Sequence, residues 1–179
     1  MKLAFVLDHL DSIKTRKDSS VAIMREAAAR GHKLFSMQQG DLAWQRGDTV
    51  GFARTLELIG EDPQERLWYR VDEPEEMPLQ EFDAVLMRKD PPFDMEYIYS
   101  TYLLELAETR GARVINSARA IRDHNEKLAV AKFPEYAVET LVTRSESLLR
   151  HFLAEHDDII LKPRVGMGGA RVFRVQQGD

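Results

Sequence analysis

The sequence predicts an α/β protein built on a parallel sheet, and three observations carry that prediction. Short apolar runs bounded by acids or turn residues, such as residues 2–8 (KLAFVLD), read as strands buried on both faces. Amphipathic segments of helical length lie between them, stopped by glycine at Gly31 and Gly111. The order strand, loop, helix, strand is how parallel neighbours are connected.

Taken in order, residues 2–8 are the first predicted strand. Ser19 or Ser20 is placed to cap a helix whose Val21, Met24 and Ala28 share one face. Residues 33–37 form the second strand. Turn signals at Gly40-Asp41, Gly47-Asp48, Pro63 and Pro74 break residues 38–78 into short hairpin strands. A buried strand resumes at 82–88 (FDAVLMR) and runs into RKDPPFD, where two consecutive prolines stiffen the loop. Residues 96–110 predict a helix with Tyr99, Leu103 and Leu106 on its apolar face, and residues 113–115 a brief strand.

The character changes near residue 123. Asp123-x-x-Glu126 resembles a capping box and predicts a helix to about Phe133, ended by Pro134. Residues 139–143 predict a strand, and Thr143-x-x-Glu146 a second box opening a helix with Leu148, Leu149, Phe152 and Leu153 on one face. Strands at 158–162 and 170–175 then flank a glycine-rich loop. Two units result, divided near residues 116–124, with domains expected at 1–123 and 124–179. The second has roughly 55 residues, too few to bury a sufficient core alone, so the chain is expected to stop inside a domain.

Composition narrows the function. The chain has 179 residues, no cysteine, and 25 Lys+Arg against 30 Asp+Glu, a net charge of −5. Without cysteine there is no disulfide framework, thiolate zinc site or cysteine nucleophile. The acidic balance argues against a nucleic-acid partner. No apolar run approaches the roughly 18 residues of a membrane helix, and the first run is too short for a signal-peptide core. A soluble cytoplasmic protein is expected. The five histidines show no metal-ligand spacing.

Residues 159–170 (IILKPRVGMGGA) are the strongest chemical signal. Lys162 closes an apolar strand, and Gly166, Gly168 and Gly169 follow. Such glycines let backbone N–H groups approach an anion, and the lysine supplies a point charge for phosphate. A flexible hairpin turn with an ordinary lysine fits the local pattern too. Lys127, alone, reads as a solvated helix lysine; its company with Lys162 suggests two cations on one polyphosphate. Arg88 and Asp90 lie just past a predicted parallel strand, suited to a carboxylate and an ammonium group or to a structural ion pair. Ser19 and Ser20, at a helix N-terminus, suit an anion or simple capping.

Several segments together resemble bacterial glutathione synthetases: LMRKDPPFD (86–94), RDHNEKL (122–128), VETLVTR (138–144), IILKPRVGMGGARVFRV (159–175) and the opening LAFVLDHLDSIKTRKDSS. The resemblance spans the whole chain, with departures at His124, Arg164 and Val165. It implies a Rossmann-like substrate domain followed by the first part of an ATP-grasp domain. It also implies ligation of γ-glutamylcysteine and glycine, with ATP as co-substrate, through an acyl phosphate. By the same comparison Lys127, Lys162, Gly166, Met167, Gly168 and Gly169 contact ATP. Mg2+ or Mn2+ would be held by ligands beyond Asp179, in a homo-oligomeric enzyme. The 179-residue piece alone is expected to show no glycine-dependent ADP release. Two alternatives stay open: another ATP-grasp ligase, and a non-catalytic ligand-binding module, against which an exposed apolar face on residues 124–179 would speak.

Overall fold

The computed structural model describes residues 1–60, 68–90, 92–125, 127–164 and 171–178. They fall into two units, one of Met1–Asp90 with Met95–Arg122 and one of Pro91–Asp94 with Asp123–Asp179.

The first unit contains β1 (Lys2–Leu7), α1 (Ser19–Ala29), β2 (Lys33–Gln38), β3 (Leu42–Gln45), β4 (Asp48–Leu58), β5 (Tyr69–Val71), β6 (Glu75–Pro78), β7 (Ala84–Met87), α2 (Met95–Thr109) and β8 (Val114–Ile115). A short helix α3 (Ala118–Asp123) follows and runs to the boundary at Arg122 and Asp123. Strands β2, β1, β7 and β8 lie side by side and parallel, with Phe5 of β1 opposite Ser36 of β2 and Leu86 of β7. The α/β class with a parallel sheet therefore stands. On its far side β4 runs antiparallel to β2 and carries β3, β5 and β6.

Burial on both faces explains the unbroken apolar run of β1. Phe5 and Leu7 pack with Val21, Met24 and Ala27 of α1 and with Trp68. Ala4 and Val6 point the other way and are equally buried. The glycine stops behave as read. Gly31 and Gly111 have φ of +75° and +98°, and the next residues donate back to Ala27 and Ala107, each at 3.0 Å. Arg46 and Gly47, with φ of 53° and 90°, close the β3–β4 hairpin. Gly51 of β4 leaves room for Met37, whose Sδ an added Cβ would overlap.

Several expectations are corrected. Asp18, not Ser19 or Ser20, caps α1 by accepting from the Ser20 N–H at 2.6 Å. Ala27 rather than Ala28 completes its buried face. Helix α2 buries Tyr97, Ser100, Thr101, Leu104 and Ala107, and leaves Tyr99, Tyr102 and Leu106 exposed. Two apolar stripes were available to it. The hydroxyls that disguise the inner one bond back to the helix, Ser100 to the Glu96 carbonyl at 3.0 Å and Thr101 to that of Ile98 at 2.6 Å. Trp68 is buried, whereas Trp44 is exposed.

The second unit contains α4 (Glu146–His156), β9 (Asp158–Leu161) and β10 (Phe173–Gln176), with 3-10 turns at Ala129–Lys132 and Pro134–Tyr136. The last two strands pair antiparallel, Leu161 opposite Phe173. The helix predicted from Asp123 to about Phe133 is absent among the described residues. Asp123 is the last residue of α3, and Asn125 starts the following turn. Its Oδ1 accepts the Lys127 N–H at 3.0 Å and its carbonyl that of Ala129 at 2.8 Å. Phe133, held at φ −136° and ψ 58° before Pro134, blocks continuation. The box partner Glu126 lies outside the described residues. Residues 139–143 form no strand, and among the described residues the sheet of this unit consists of β9 and β10. Ser145, not Thr143, caps α4, while Thr143 Oγ1 accepts the Ser145 N–H at 3.0 Å. Leu148 of its predicted apolar face is exposed.

Candidate functional site

In the first unit the chain runs from β1 to β2 on one side and later returns to β7 on the other. The carboxyl ends of β1 and β7 therefore form a topological switch point, where open α/β sheets bind ligands. Asp8, the start of α1 and residues 88–90 all converge there.

Arg88 is anchored by its N–H to the Val6 carbonyl at 2.8 Å. Its Nε donates to Ser20 Oγ at 3.0 Å and its Nη2 to Ser19 Oγ at 2.7 Å. The structure thus joins three of the sequence-predicted residues directly, and Asp90 stands two residues from Arg88. The serine hydroxyls take a guanidinium instead of capping the helix, which leaves an exposed cation over the α1 N-terminus. The Asp90 N–H donates to Asp8 Oδ2 at 3.0 Å, and Lys89 Nζ reaches Asp8 Oδ1 at 2.7 Å.

The Asp90 carboxyl is held above the ordinary carboxylate range by partial burial and by the charges of Asp8 and Asp18, against the opposing pull of Lys89 and Arg88. The folded state therefore holds this proton more tightly than the unfolded chain does. The resulting stabilisation is present at acid pH and lost as pH rises through the raised value. Asp90→Asn is expected to raise the thermal midpoint at pH 7, with the difference from the parent shrinking as pH is lowered through the carboxylate range. Equal midpoints at pH 7 would count against it. The same crowding of carboxylates makes the position favourable to an incoming ammonium group.

Sequence reasoning missed Asp8, Lys89 and Tyr97. Tyr97 opens the buried face of α2; burial raises its phenol, with a lowering influence from Arg88 and a raising one from Asp90. The available signals were the acid that ends the first apolar run and the lysine inside RKDPPFD. Beside these residues, past the ends of β1 and β2, lies a pocket walled by Asp8, Gln38, Arg54 and Tyr69. Arg54 is held there by Asp41 at 2.8 Å.

In the second unit Lys162 directly follows β9 and is exposed, while Lys127 is half-buried in the Asn125 turn. Gly166, Met167, Gly168 and Gly169 lie outside the described residues. Among the described residues no group of three or more His, Asp or Glu side chains could hold a metal ion, and no helix is long and apolar enough to cross a membrane. Leu128, Phe133, Tyr136, Val138 and Phe173 are all more than half exposed, which counts against a self-contained binding module in this unit.

Residues 1–122 match the family model described as prokaryotic glutathione synthetase, N-terminal domain, and residues 126–179 the one described as prokaryotic glutathione synthetase, ATP-grasp domain. The glutathione synthetase of Nitrosomonas europaea is 62% identical over 179 residues, which is 100% of this chain and 56% of that protein. That of Ralstonia nicotianae is 53% identical over 98% of this chain and 53% of its own length. The chain thus spans about half the length of these curated relatives. Among solved structures, the ATP-grasp ligase PsnB complexed with minimal precursor aligns with a TM-score of 0.52 at 21% identity, over 98% of this chain and 57% of that one, a likeness of fold alone. With an N-terminal domain model matched over most of its length and a relative 62% identical throughout, the chain belongs to the prokaryotic glutathione synthetase family.

Proposed function

We propose that the whole protein ligates γ-glutamylcysteine and glycine to glutathione, with ATP converted to ADP and phosphate. The observation that carries this is the 62% identity to a glutathione synthetase along all 179 residues. In this reading residues 1–123 are the substrate domain and 124–179 the start of the ATP-grasp domain. A carboxylate oxygen of γ-glutamylcysteine attacks the γ-phosphorus of ATP, forming an acyl phosphate and releasing ADP. The glycine amine then attacks the acyl carbon, loses a proton and expels phosphate. Little covalent work falls to the protein, so positioning and charge neutralisation dominate.

Lys127 and Lys162 neutralise the nucleotide phosphates in this scheme, and Gly166, Met167, Gly168 and Gly169 close over them. Arg88, steadied by Ser19 and Ser20, pairs with a carboxylate of γ-glutamylcysteine, and Asp90 accepts from its ammonium group. Magnesium or manganese would neutralise charge on the transferring phosphoryl, but the described residues offer no ligand cluster for it. The partners are small molecules, with neither nucleic acid nor membrane, in a cytoplasmic homo-oligomer.

The test is to express the uninterrupted reading frame and follow ADP release with magnesium-ATP and γ-glutamylcysteine, with and without glycine. Glycine-dependent release is expected; its absence overturns the proposal. In that enzyme Arg88→Ala is expected to raise KM for γ-glutamylcysteine about 10-fold or more, with KM for ATP unchanged. An unchanged KM for the dipeptide would remove Arg88 from the site.

A further inference from the structure

Asp8 is the first residue after β1, and both of its carboxylate oxygens are engaged by the chain leaving β7. Lys89 Nζ sits 2.7 Å from Oδ1 and the Asp90 N–H donates to Oδ2 at 3.0 Å. The same Lys89 Nζ donates to the Asp90 carbonyl at 2.7 Å. The three contacts close a ring around the Asp90 backbone. The Lys89 side chain is only 16% exposed and that of Asp8 34%, so this pair is less screened than a fully exposed one.

The ring sits where the sheet stops restraining the chain. The bond from the Arg88 N–H to the Val6 carbonyl joins the end of β7 to β1. Pro91 and Pro92, having no N–H, can add no backbone donor of their own. Past Arg88, the contacts described between residues 89–90 and the β1 end are those with Asp8. An isosteric amide would keep the size of Asp8 but lose its charge toward Lys89 and one of its two acceptors. The chain at 88–90 would then be less closely held, and with it the Arg88 guanidinium and the Asp90 carboxylate.

We propose that Asp8 is a positioning residue for the acid substrate: it clamps residues 89–90 through Lys89 and the Asp90 N–H, and so sets where Arg88 and Asp90 meet γ-glutamylcysteine. This rests on the reading above that Arg88 and Asp90 hold that substrate. It differs from a direct role, in which Asp8, which also lines the neighbouring pocket, would touch the substrate itself.

The test uses the complete enzyme with Asp8→Asn, Lys89→Met, the double variant and Arg88→Ala. Asp8→Asn is expected to raise KM for γ-glutamylcysteine about 10-fold, less than the ~10²-fold that a misplacement of about 1 Å can cost. Its kcat and its KM for ATP should stay within about 2-fold of the parent, a split that general loosening of the fold would not produce. Lys89→Met should act alike, and the double variant should be no worse than the stronger single one, since both break one clamp. Additive effects of the two singles would overturn the proposal in favour of direct contact. An unchanged KM in Asp8→Asn, with Arg88→Ala impaired, would overturn it while leaving the substrate reading intact. An unchanged KM in Arg88→Ala would instead overturn the reading on which it rests. Should Asp8→Asn lower the thermal midpoint enough to prevent assay, Lys89→Met against Arg88→Ala decides by the same split.

Discussion

Lys162→Met in the complete enzyme is expected to lower kcat about 10²–10³-fold, the usual cost of removing one group aimed at charge developing in a transition state. The lysine follows β9 directly and its side chain is exposed, so its removal takes little from packing. The thermal midpoint should therefore move by no more than about 2 °C, as for an ordinary surface substitution. Steady-state ADP release at saturating substrates measures the first quantity and differential scanning calorimetry the second. A kcat within about 5-fold of the parent would make Lys162 an ordinary lysine at the end of a hairpin strand. That is the other reading its local sequence allows.

Phe5→Ala should produce the largest loss of stability, about 3–5 kcal/mol. Phe5 is fully buried in the middle strand of the parallel sheet, with β2 on one side and β7 on the other. Its ring contributes to the cluster that fastens α1 to the sheet and contains Trp68. Strands and a helix meet around it, so little can collapse into the cavity. Urea unfolding can be followed by Trp68 fluorescence in a Trp44→Phe background, because Trp44 is 58% exposed and reports mainly on solvent. The midpoint should fall with little change in slope. A loss below about 1 kcal/mol would mean that the site repacks and that the cluster is looser than its burial implies.

Function was legible in the chain to different depths. The segments RKDPPFD and IILKPRVGMGGA carried the family resemblance before any geometry was known, and the family comparisons bear out membership. Arg88, Ser19 and Ser20 were legible as candidates because each lies next to the end of a strand or the start of a helix. What they do to one another was not. Nothing in the spacing of residues 19, 20 and 88 shows that two hydroxyls accept from one guanidinium across 68 residues of chain. Asp8 and Lys89 escaped for the same reason, since an acid after an apolar run has no partner until β7 is laid beside β1.

By itself the sequence determined the features governed by short-range physics: the buried strands, the order of α1 and β2 after β1, and the two glycine stops. A β-turn, a left-handed glycine or an apolar run is decided within a few residues of chain. The tertiary structure decided what depends on distant partners. It chose the Tyr97–Leu104 stripe of α2 over the Tyr99–Leu106 one, because two bonded hydroxyls made the first burial-competent. It denied residues 139–143 a strand, and broke the helix predicted after Asp123 where Asn125 and Pro134 take over its ends. Above all it placed Asp8, Ser19, Ser20, Arg88 and Asp90 together past the carboxyl ends of β1 and β7. Hydrogen bonds and ion pairs formed across 68 to 82 residues of chain depend on sheet order, which local propensity does not encode.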